Sequence, residues 1–286
     1  MNLSLGCASL GQSYGIANST DILPSSELKK ILERASELRI CHLDTSISYG
    51  ESQKIIGKFW PSTHQARVTT KIPSTLFRDK RLLVKTIRQS LLETKQNEFW
   101  AILIHDPDAF ASSNITHIKS GFRLLIDEGL TSRIGLSAYS EKEVVRAKDN
   151  FSELSVFQIP ENICDQRKYN SESLLSMMNQ GDSLFVRSIF LQGLLLMDER
   201  SIPDKVSSAR GTLISLRNYA RNHSMSLLEV SICYAKSIPW ASHLVVGINS
   251  ELQLNTFADV FERSGIQTFE DAPRLSDQIL DPRNWS

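Results

Sequence analysis

The stretch that most strongly predicts the fold is residues 40–71, ICHLDTSISYGESQKIIGKFWPSTHQARVTTK. It begins with a short apolar run, Ile40–Asp44. A helical pattern follows over Ser52–Trp60, because its isoleucines and its phenylalanine recur on one helix face. A second short run lies at Arg67–Lys71. A strand, a helix and a second strand in this order predict two parallel strands joined by a crossover helix.

The same alternation continues on both sides of this stretch. Six further short runs are each followed by a helical pattern: Leu3–Ala8, Phe99–His105, Ser132–Ser137, Ser155–Ile159, Ser183–Ile189 and His243–Gly247. Eight such units in a chain of this length predict an α/β fold, the (β/α)8 TIM barrel. An open, doubly wound sheet is the alternative. It normally has a Gly-x-Gly-x-x-Gly turn after the first strand, which residues 6–11, GCASLG, do not match.

Helix starts are marked by capping residues. Ser140–Glu143 and Ser250–Gln253 have the pattern of capping boxes, and Asn114 is placed to cap a further helix. The chain has 286 residues, long enough for two average domains, but single barrels reach about 250 residues. We therefore expect one barrel domain over residues 1–286, with residues 264–286 as a C-terminal tail on its surface.

Composition excludes several classes of function. Lys plus Arg number 32 and Asp plus Glu number 32, so the chain is neutral and lacks the basic blocks of a nucleic-acid-binding protein. No apolar run approaches the ~20 residues that span a bilayer, and the first residues do not resemble a secretory leader. We expect a cytoplasmic protein that binds neither nucleic acid nor membranes. The cysteines form no Cys-x-x-Cys pair, which predicts reduced thiols and no metal site: Cys7, Cys41, Cys164 and Cys233.

Polar side chains stand at the ends of three predicted strands. Asp44 ends the second strand, and Tyr49 lies in the loop that follows it. Lys71 ends the third strand and His105 ends the fourth. In a barrel, catalytic residues collect where strands end, so we expect these four side chains to converge on one rim.

Together these residue types can protonate a carbonyl oxygen. A tyrosine hydroxyl ordinarily has a pKa near ~10, too high for efficient proton transfer at neutral pH. A lysine cation within reach favours the phenolate, and an aspartate beside the lysine keeps it charged. A histidine can donate a hydrogen bond to the carbonyl oxygen. None of these side chains supplies hydride, so a redox cofactor is required.

The motifs resemble those of the aldo-keto reductases. Residues 42–57, HLDTSISYGESQKIIG, resemble that family's Asp-Thr-Ala-x-x-Tyr-Gly-x-Ser-Glu-x-x-Leu-Gly signature. Further matches follow in chain order at Thr70-Lys71, Ser90-Leu91, residues 104–108, residues 129–137, Phe157-Gln158, residues 191–194 and Val246-Gly247. The first motif with Lys71 and His105 is specific, and the other matches are individually weak. The resemblance covers about residues 3–260.

The resemblance implies a (β/α)8 barrel that binds NADP(H), or less often NAD(H), without a Rossmann domain. It also implies a catalytic tetrad at Asp44, Tyr49, Lys71 and His105, with Tyr49 as the general acid. These are the four residues selected above on chemical grounds.

The resemblance further implies a set of cofactor contacts. The nicotinamide amide maps to Ser137 and Gln158, with Ala138 in place of the family's Asn. Arg187 takes the position that often holds an aromatic residue stacked on the nicotinamide, and a guanidinium can also stack on a planar ring. The pyrophosphate and adenosine ends map to Ser188, Leu191, Gly193, Gly247, Asn249, Ser250 and Gln253.

The leading hypothesis is a reductase that takes hydride from NAD(P)H and acts on an aldehyde or ketone, such as a sugar. One alternative is an NADP(H)-binding regulatory subunit with little turnover. Another is a barrel enzyme that uses bound NAD(P) for a non-redox step such as epimerisation. The predicted partner is a small carbonyl compound, with pocket residues from Gln12, Ser13, Tyr14 and Phe110; no oligomeric state is predicted.

Overall fold

Eight parallel strands close into a barrel in the part of the chain that the structure describes. The structure is a computed structural model that describes residues 1–17, 22–111, 115–267 and 269–285. The strands follow one another around the barrel in chain order. They are β1 (Asn2–Gly6), β2 (His42–Asp44), β3 (Arg67–Ile72), β4 (Ala101–Ile104), β5 (Ile134–Ser137), β6 (Val156–Pro160), β7 (Ser183–Arg187) and β8 (His243–Gly247).

Helices surround this barrel. Those of the described residues are α1 (Ala8–Gly11), α2 (Ser25–Glu37), α3 (Ser52–Phe59), α4 (Lys80–Thr94), α5 (Ile115–Asp127), α6 (Glu141–Asn150), α7 (Glu172–Asn179), α8 (Arg210–Asn222), α9 (Leu227–Ser237), α10 (Glu251–Arg263) and α11 (Asp277–Leu280). Within these ranges, no helix combines the length and the apolar character that a membrane crossing requires.

The predicted TIM barrel is confirmed. β1 pairs with β8 from Asn2 opposite His243 to Gly6 opposite Gly247, so the sheet has no open edge there. The open, doubly wound alternative is therefore wrong. Because all the strands are parallel, their C-terminal ends meet at one rim, where the polar strand ends were expected.

Strand boundaries differ from the predicted runs at identifiable residues. The run predicted over Ser183–Ile189 ends as a strand at Arg187, because Ser188 adopts a left-handed backbone with φ of 62°. The run predicted over Phe99–His105 is a strand only over Ala101–Ile104, and Phe99 forms an isolated bridge to Thr131.

One of the two predicted capping boxes is complete. Ser140 accepts from the backbone N–H of Glu143, whose side chain accepts from the N–H of Ser140. In the capping box predicted at Ser250–Gln253, the second hydrogen bond, from the N–H of Ser250 to the Gln253 side chain, is wrong. Ser250 caps α10, but the Gln253 side chain accepts from the N–H of Asn249. The predicted cap at Asn114 lies outside the described residues.

The C-terminal segment packs against the barrel. The N–H of Leu275 donates to the carbonyl of Cys164, which ties the segment to the loop after β6. Six of its apolar side chains are buried, namely Phe269, Ala272, Leu275, Ile279, Leu280 and Trp285, whereas Ile266 is exposed. Pro282 and Arg283 of this segment line the cavity at the barrel rim, so the segment also helps to build the site.

Rings close the opposite, N-terminal end of the barrel. His243 stacks on Phe185 at 4.1 Å between centroids and lies 4.7 Å from His42, which also contacts Trp100. Burial, reinforced by the charge of Arg67, lowers the pKa of His42 to about 4. Burial, with repulsion from a protonated His42, lowers the pKa of His243 to about 3. Both histidines are therefore neutral in the folded protein at neutral pH.

We expect the stability of the fold to fall as the pH drops from about 6.5 to 4. In this window an unfolded histidine binds a proton, whereas folded His42 and His243 do not. The unfolded state then binds more protons, so the free energy of unfolding decreases by about 1.4 kcal/mol per pH unit for each histidine. His243→Gln should show a shallower decrease in urea unfolding across this range, and an unchanged slope would contradict the assignment. His117→Gln, on the exposed side of α5, is the matched control.

The packing of neighbouring strands in the barrel wall can be tested at Gly135 of β5. A Cβ at this position would overlap the carbonyl oxygen of Val156 in β6, which is backbone and cannot turn aside. Gly135→Ala should therefore lower the free energy of unfolding by at least about 2 kcal/mol. Gly211→Ala in α8, where a Cβ would meet no atom within 4 Å, should be neutral or slightly stabilising. Equal stability of the two variants in urea unfolding would contradict this packing.

Candidate active site

The four strand-end side chains selected from the sequence meet at the C-terminal rim of the barrel. Asp44 is the last residue of β2, Lys71 lies near the end of β3, and His105 directly follows β4. Tyr49 lies in the loop after β2. All four line one cavity, so the predicted convergence is present in the structure.

Lys71 is a buried ammonium group with a charged partner. Its side chain is 2% exposed, and its Nζ donates to Asp44 Oδ2 at 2.6 Å. Burial is the largest single influence and alone would lower the pKa of Lys71, but the charge of Asp44, the charge of Tyr49 and the hydrogen bond to Asp44 together raise the pKa above its usual range. Lys71 Nζ also donates to the Tyr49 hydroxyl at 3.5 Å and to the Thr45 carbonyl at 3.4 Å. The phenol of Tyr49 thus lies beside a permanent cation.

The second oxygen of Asp44 is held by a residue from the other side of the barrel. Gln158 of β6 is fully buried, and its Nε2 donates to Asp44 Oδ1. The Gln158 Oε1 has no hydrogen-bond partner in the described structure. Sequence reasoning assigned Gln158 to the nicotinamide and missed its contact with Asp44, because the two residues are far apart in the chain.

A tight turn positions Tyr49. Gly50 has a left-handed backbone with φ of 52°, and a Cβ there would overlap the carbonyl oxygen of Gly11. That same Gly11 carbonyl accepts from the N–H of Glu51 at 3.2 Å. The Tyr-Gly pair of the sequence motif is therefore required by the close approach of α1 to this loop.

His105 is a neutral imidazole beside Tyr49. Their ring centroids are 5.7 Å apart in an edge-to-face arrangement. Burial, reinforced by the positive charge of Lys71, lowers the pKa of His105 to about 4. A neutral imidazole carries one N–H, so His105 can donate one hydrogen bond without adding charge.

The cavity above these residues has a volume of about 1080 Å³. It extends from the four rim residues to the N-terminal ends of α9 and α10, where Ser226 and Asn249 line it. A cavity that joins the rim residues to two helix ends suits an extended ligand.

Most of the predicted cofactor residues line this cavity: Ser137, Arg187, Ser188, Gly193, Gly247, Asn249 and Gln253. Three do not contribute to the wall, namely Gln158, Leu191 and Ser250. Of the predicted substrate-pocket residues Tyr14 lines the cavity, whereas Gln12, Ser13 and Phe110 do not.

The loop after β7 has an unusual backbone. Ser188, Leu191 and Gln192 have φ values of 62°, 47° and 56°, and Gly193 follows with 90°. Left-handed residues other than glycine are uncommon and concentrate at ligand sites. This loop lies along the cavity where the pyrophosphate contacts were predicted.

The N-terminus of α10 is already occupied by side chains of the protein. Glu27 of α2 accepts from the N–H of Glu251 at 2.8 Å. Ser250 accepts from the N–H of Gln253, whose own side chain accepts from the N–H of Asn249. A carboxylate therefore takes the place that a phosphate could take at this helix end.

Sequence reasoning missed the wall formed by Tyr139. The guanidinium carbons of Arg187 and Arg283 lie 4.6 Å and 3.9 Å from the centroid of the Tyr139 ring. It also missed Ser226, although Ser226–Glu229 forms a complete capping box whose pattern is visible in the sequence.

Comparisons with known proteins agree with this architecture. The family model described as the Aldo/keto reductase family matches residues 2–268. Among curated proteins, none matches this chain significantly.

Three solved structures share the fold. The glycerol dehydrogenase AKR11B4 from Gluconobacter oxydans is 17% identical, with a TM-score of 0.69 and coverage of 99% of this chain and 91% of that one. The thermostable aldo-keto reductase Tm1743, solved with the inhibitor epalrestat, is 18% identical, with a TM-score of 0.67 and coverage of 99% and 93%. PA4992, a proposed aldo-keto reductase from Pseudomonas aeruginosa, is 15% identical, with a TM-score of 0.65 and coverage of 91% and 88%.

At these identities the solved structures support the fold alone, whereas the family model covers most of the chain. Members of that family are oxidoreductases that generally use NAD(P)H. The chain therefore belongs to the aldo/keto reductase family and is an oxidoreductase.

Proposed function

We propose that the protein reduces an aldehyde or ketone to an alcohol with NAD(P)H, and that Tyr49 donates the proton. The observation that carries the proposal is the contact of the Tyr49 hydroxyl with Lys71 Nζ, 3.5 Å away, while Asp44 holds the same ammonium group at 2.6 Å. We further propose a cytoplasmic enzyme, one barrel domain with a C-terminal tail, and a small carbonyl compound as its partner.

The residues present fit a nicotinamide cofactor. One polar atom of a cavity-lining residue at the reacting end, Arg187 Nε, is buried and has no hydrogen-bond partner in the described structure. In the proposal Ser137 and Arg187 hold the nicotinamide, Ser188 and Gly193 follow the pyrophosphate, and the adenosine end lies at Gly247, Asn249 and Gln253, all of which line the cavity. Gln158, Leu191 and Ser250 lie outside the cavity wall and are not assigned a cofactor contact. When bound, the cofactor supplies hydride to the carbonyl carbon.

The rim residues supply the proton. The O–H bond of Tyr49 breaks as a new O–H bond forms on the substrate oxygen, which leaves a phenolate beside Lys71. The ammonium of Lys71 stabilises this phenolate electrostatically, and Asp44 keeps Lys71 in place. Neutral His105 donates a hydrogen bond to the same substrate oxygen and so favours the negative charge that develops there.

The alternative of a regulatory subunit with little turnover requires an impaired proton donor. The contacts among Asp44, Tyr49 and Lys71 instead support turnover. The non-redox alternative, such as epimerisation, predicts no net consumption of NAD(P)H, so the stoichiometry of cofactor oxidation to alcohol formed separates it from the proposal.

The cofactor proposal includes both NADP(H) and NAD(H), and one observation favours NAD(H). The carboxylate of Glu27 bonds to the N–H of Glu251 at the start of α10, where the adenosine end is proposed to lie. A further phosphate at this end would meet two carboxylates and a helix terminus that is already capped.

Tyr49→Phe should abolish turnover and keep the cofactor. Removal of a general acid typically costs about 10²- to 10⁴-fold in rate, whereas the binding surface for NAD(P)H is unchanged. The measurements are steady-state carbonyl reduction and a fluorescence titration with NADH and NADPH. Tyr219→Phe on α8, remote from the rim, is the matched control. Normal turnover in Tyr49→Phe would remove the proposed mechanism.

Wild-type protein should bind NADH at least as tightly as NADPH. Glu27→Gln should shift the ratio of the two dissociation constants towards NADPH by about three- to tenfold, because one negative charge leaves the helix terminus. Glu262→Gln, an exposed acidic residue near the other end of α10, should leave the ratio unchanged. Parallel fluorescence titrations measure both constants, and a wild-type preference for NADPH of tenfold or more would contradict the assignment.

A further inference from the structure

The cations at the catalytic end of the cavity are not all paired. Lys71 bonds to Asp44 at 2.6 Å, and Arg283 bonds to Asp281 at 2.6 Å. Arg187 also lines the cavity, yet among the residues that the structure describes it has no carboxylate within ion-pair distance. Of these three cations, Arg187 is therefore the one without an ion-pair partner among the described residues.

The contacts of Arg187 hold its guanidinium without neutralising it. Its Nη2 donates to the Ala138 carbonyl at 3.0 Å, and its Nη1 donates to the Ser188 hydroxyl at 3.2 Å. Both acceptors are uncharged, and Nε has no partner in the described structure. The group is half-buried, so its charge is weakly screened by water.

This charge acts on the reacting centre. After burial and Lys71, Arg187 is a further cause that lowers the pKa of His105, and it opposes the rise in the pKa of Lys71. A half-buried, unpaired cation is unfavourable in the free protein. A ligand anion that reaches Arg187 removes that cost, and Arg187 lines the same cavity as Tyr49 and His105.

We propose that Arg187 binds a carboxylate of the substrate, so that the protein reduces aldehydes or ketones that also carry a carboxylate. The inference rests on the proposed function and names its substrate class. The planar fork of a guanidinium matches a carboxylate, and one unpaired positive charge matches one negative charge. A phosphate carries nearly two negative charges and would leave an excess.

This assignment is compatible with stacking of Arg187 on a nicotinamide. A guanidinium stacks through its faces and donates hydrogen bonds in its plane. The ring of Tyr139 contacts the guanidinium at 4.6 Å, and the N–H groups that are not used by Ala138 and Ser188 lie in the plane. In the proposal, the substrate carboxylate accepts hydrogen bonds from these in-plane N–H groups.

The test compares matched substrates on the same enzyme with its preferred cofactor. The readout is kcat/KM for 4-oxobutanoate divided by kcat/KM for butanal, two four-carbon aldehydes that differ in the carboxylate. We expect a ratio of at least about ten for the wild-type protein, since hydrogen bonds to charged groups contribute on this scale. The ratio cancels any effect of a substitution on cofactor binding, because both substrates meet the same enzyme.

Three variants assign the preference to one residue. Arg187→Met should lower the ratio by at least about tenfold, and Arg187→Lys, which keeps the charge but loses the fork, should retain part of it. Arg283→Met is the matched control. It also removes a guanidinium that contacts the Tyr139 ring, but the charge of Arg283 is already neutralised by Asp281. It should change the ratio by less than about threefold.

Binding without turnover gives a second measurement. Calorimetry on the complex with oxidised cofactor should detect butanoate but not butanamide, and Arg187→Met should abolish the difference. This measurement does not depend on the chemical step, so it also applies to variants with little activity.

The outcomes separate the inference from the proposed function. Equal kcat/KM for 4-oxobutanoate and butanal, or an equal loss of the ratio in Arg187→Met and Arg283→Met, overturns the inference and leaves carbonyl reduction intact. A preference for glyceraldehyde 3-phosphate over 4-oxobutanoate overturns the choice of carboxylate. No reduction of any aldehyde with either cofactor overturns the proposed function, and the inference fails with it.

Discussion

The buried ammonium of Lys71 is the constraint on which the rim of the barrel depends. An ammonium group that is 2% exposed is unfavourable unless a carboxylate neutralises it, so Asp44 must end β2 beside it. Asp44 has a second oxygen to satisfy, and Gln158 reaches across the barrel to donate to it. The Asp44–Lys71 ion pair then fixes the position of the ammonium group, and the Tyr49 hydroxyl contacts that group. The position of Asp44 in β2, the contact of Gln158 and the turn at Tyr49 all serve to keep one positive charge buried away from water.

The architecture and the four rim residues could be predicted from the sequence because both depend on local order along the chain. Alternation of short apolar runs with helical patterns predicts a barrel, and parallel strands bring their ends together wherever the barrel closes. Contacts between distant residues could not be predicted in this way. The bond from Gln158 to Asp44, the cap that Glu27 places on α10, and the Arg187 contact with Tyr139 each join separate strand–helix units. The prediction of a complete capping box at Ser250–Gln253 was wrong for a related reason. The Gln253 side chain can reach the N–H of either Ser250 or Asn249, and it accepts from that of Asn249.

Polar groups are buried in different ways at the two ends of the barrel. At the N-terminal end, His42 and His243 are buried among rings and remain neutral, so no counter-charge is needed. Trp100 packs edge-on against His42. At the C-terminal end, charge is kept, and the buried ammonium of Lys71 is paired with Asp44. Asp44 and Lys71 line the cavity, where a ligand can replace water.

Along the cavity, the sign of the charge changes from one end to the other. The reacting end has the unpaired guanidinium of Arg187, while the start of α10 has the carboxylates of Glu27 and Glu251. A ligand with its negative charge near Tyr49 is favoured in this field, and one with extra negative charge near α10 is disfavoured. The same distribution therefore bears on two choices that the fold leaves open, the substrate and the cofactor. Because each depends on a different residue, Arg187 for one and Glu27 for the other, the two preferences can be altered separately while the ion pair of Lys71 and Asp44 stays intact.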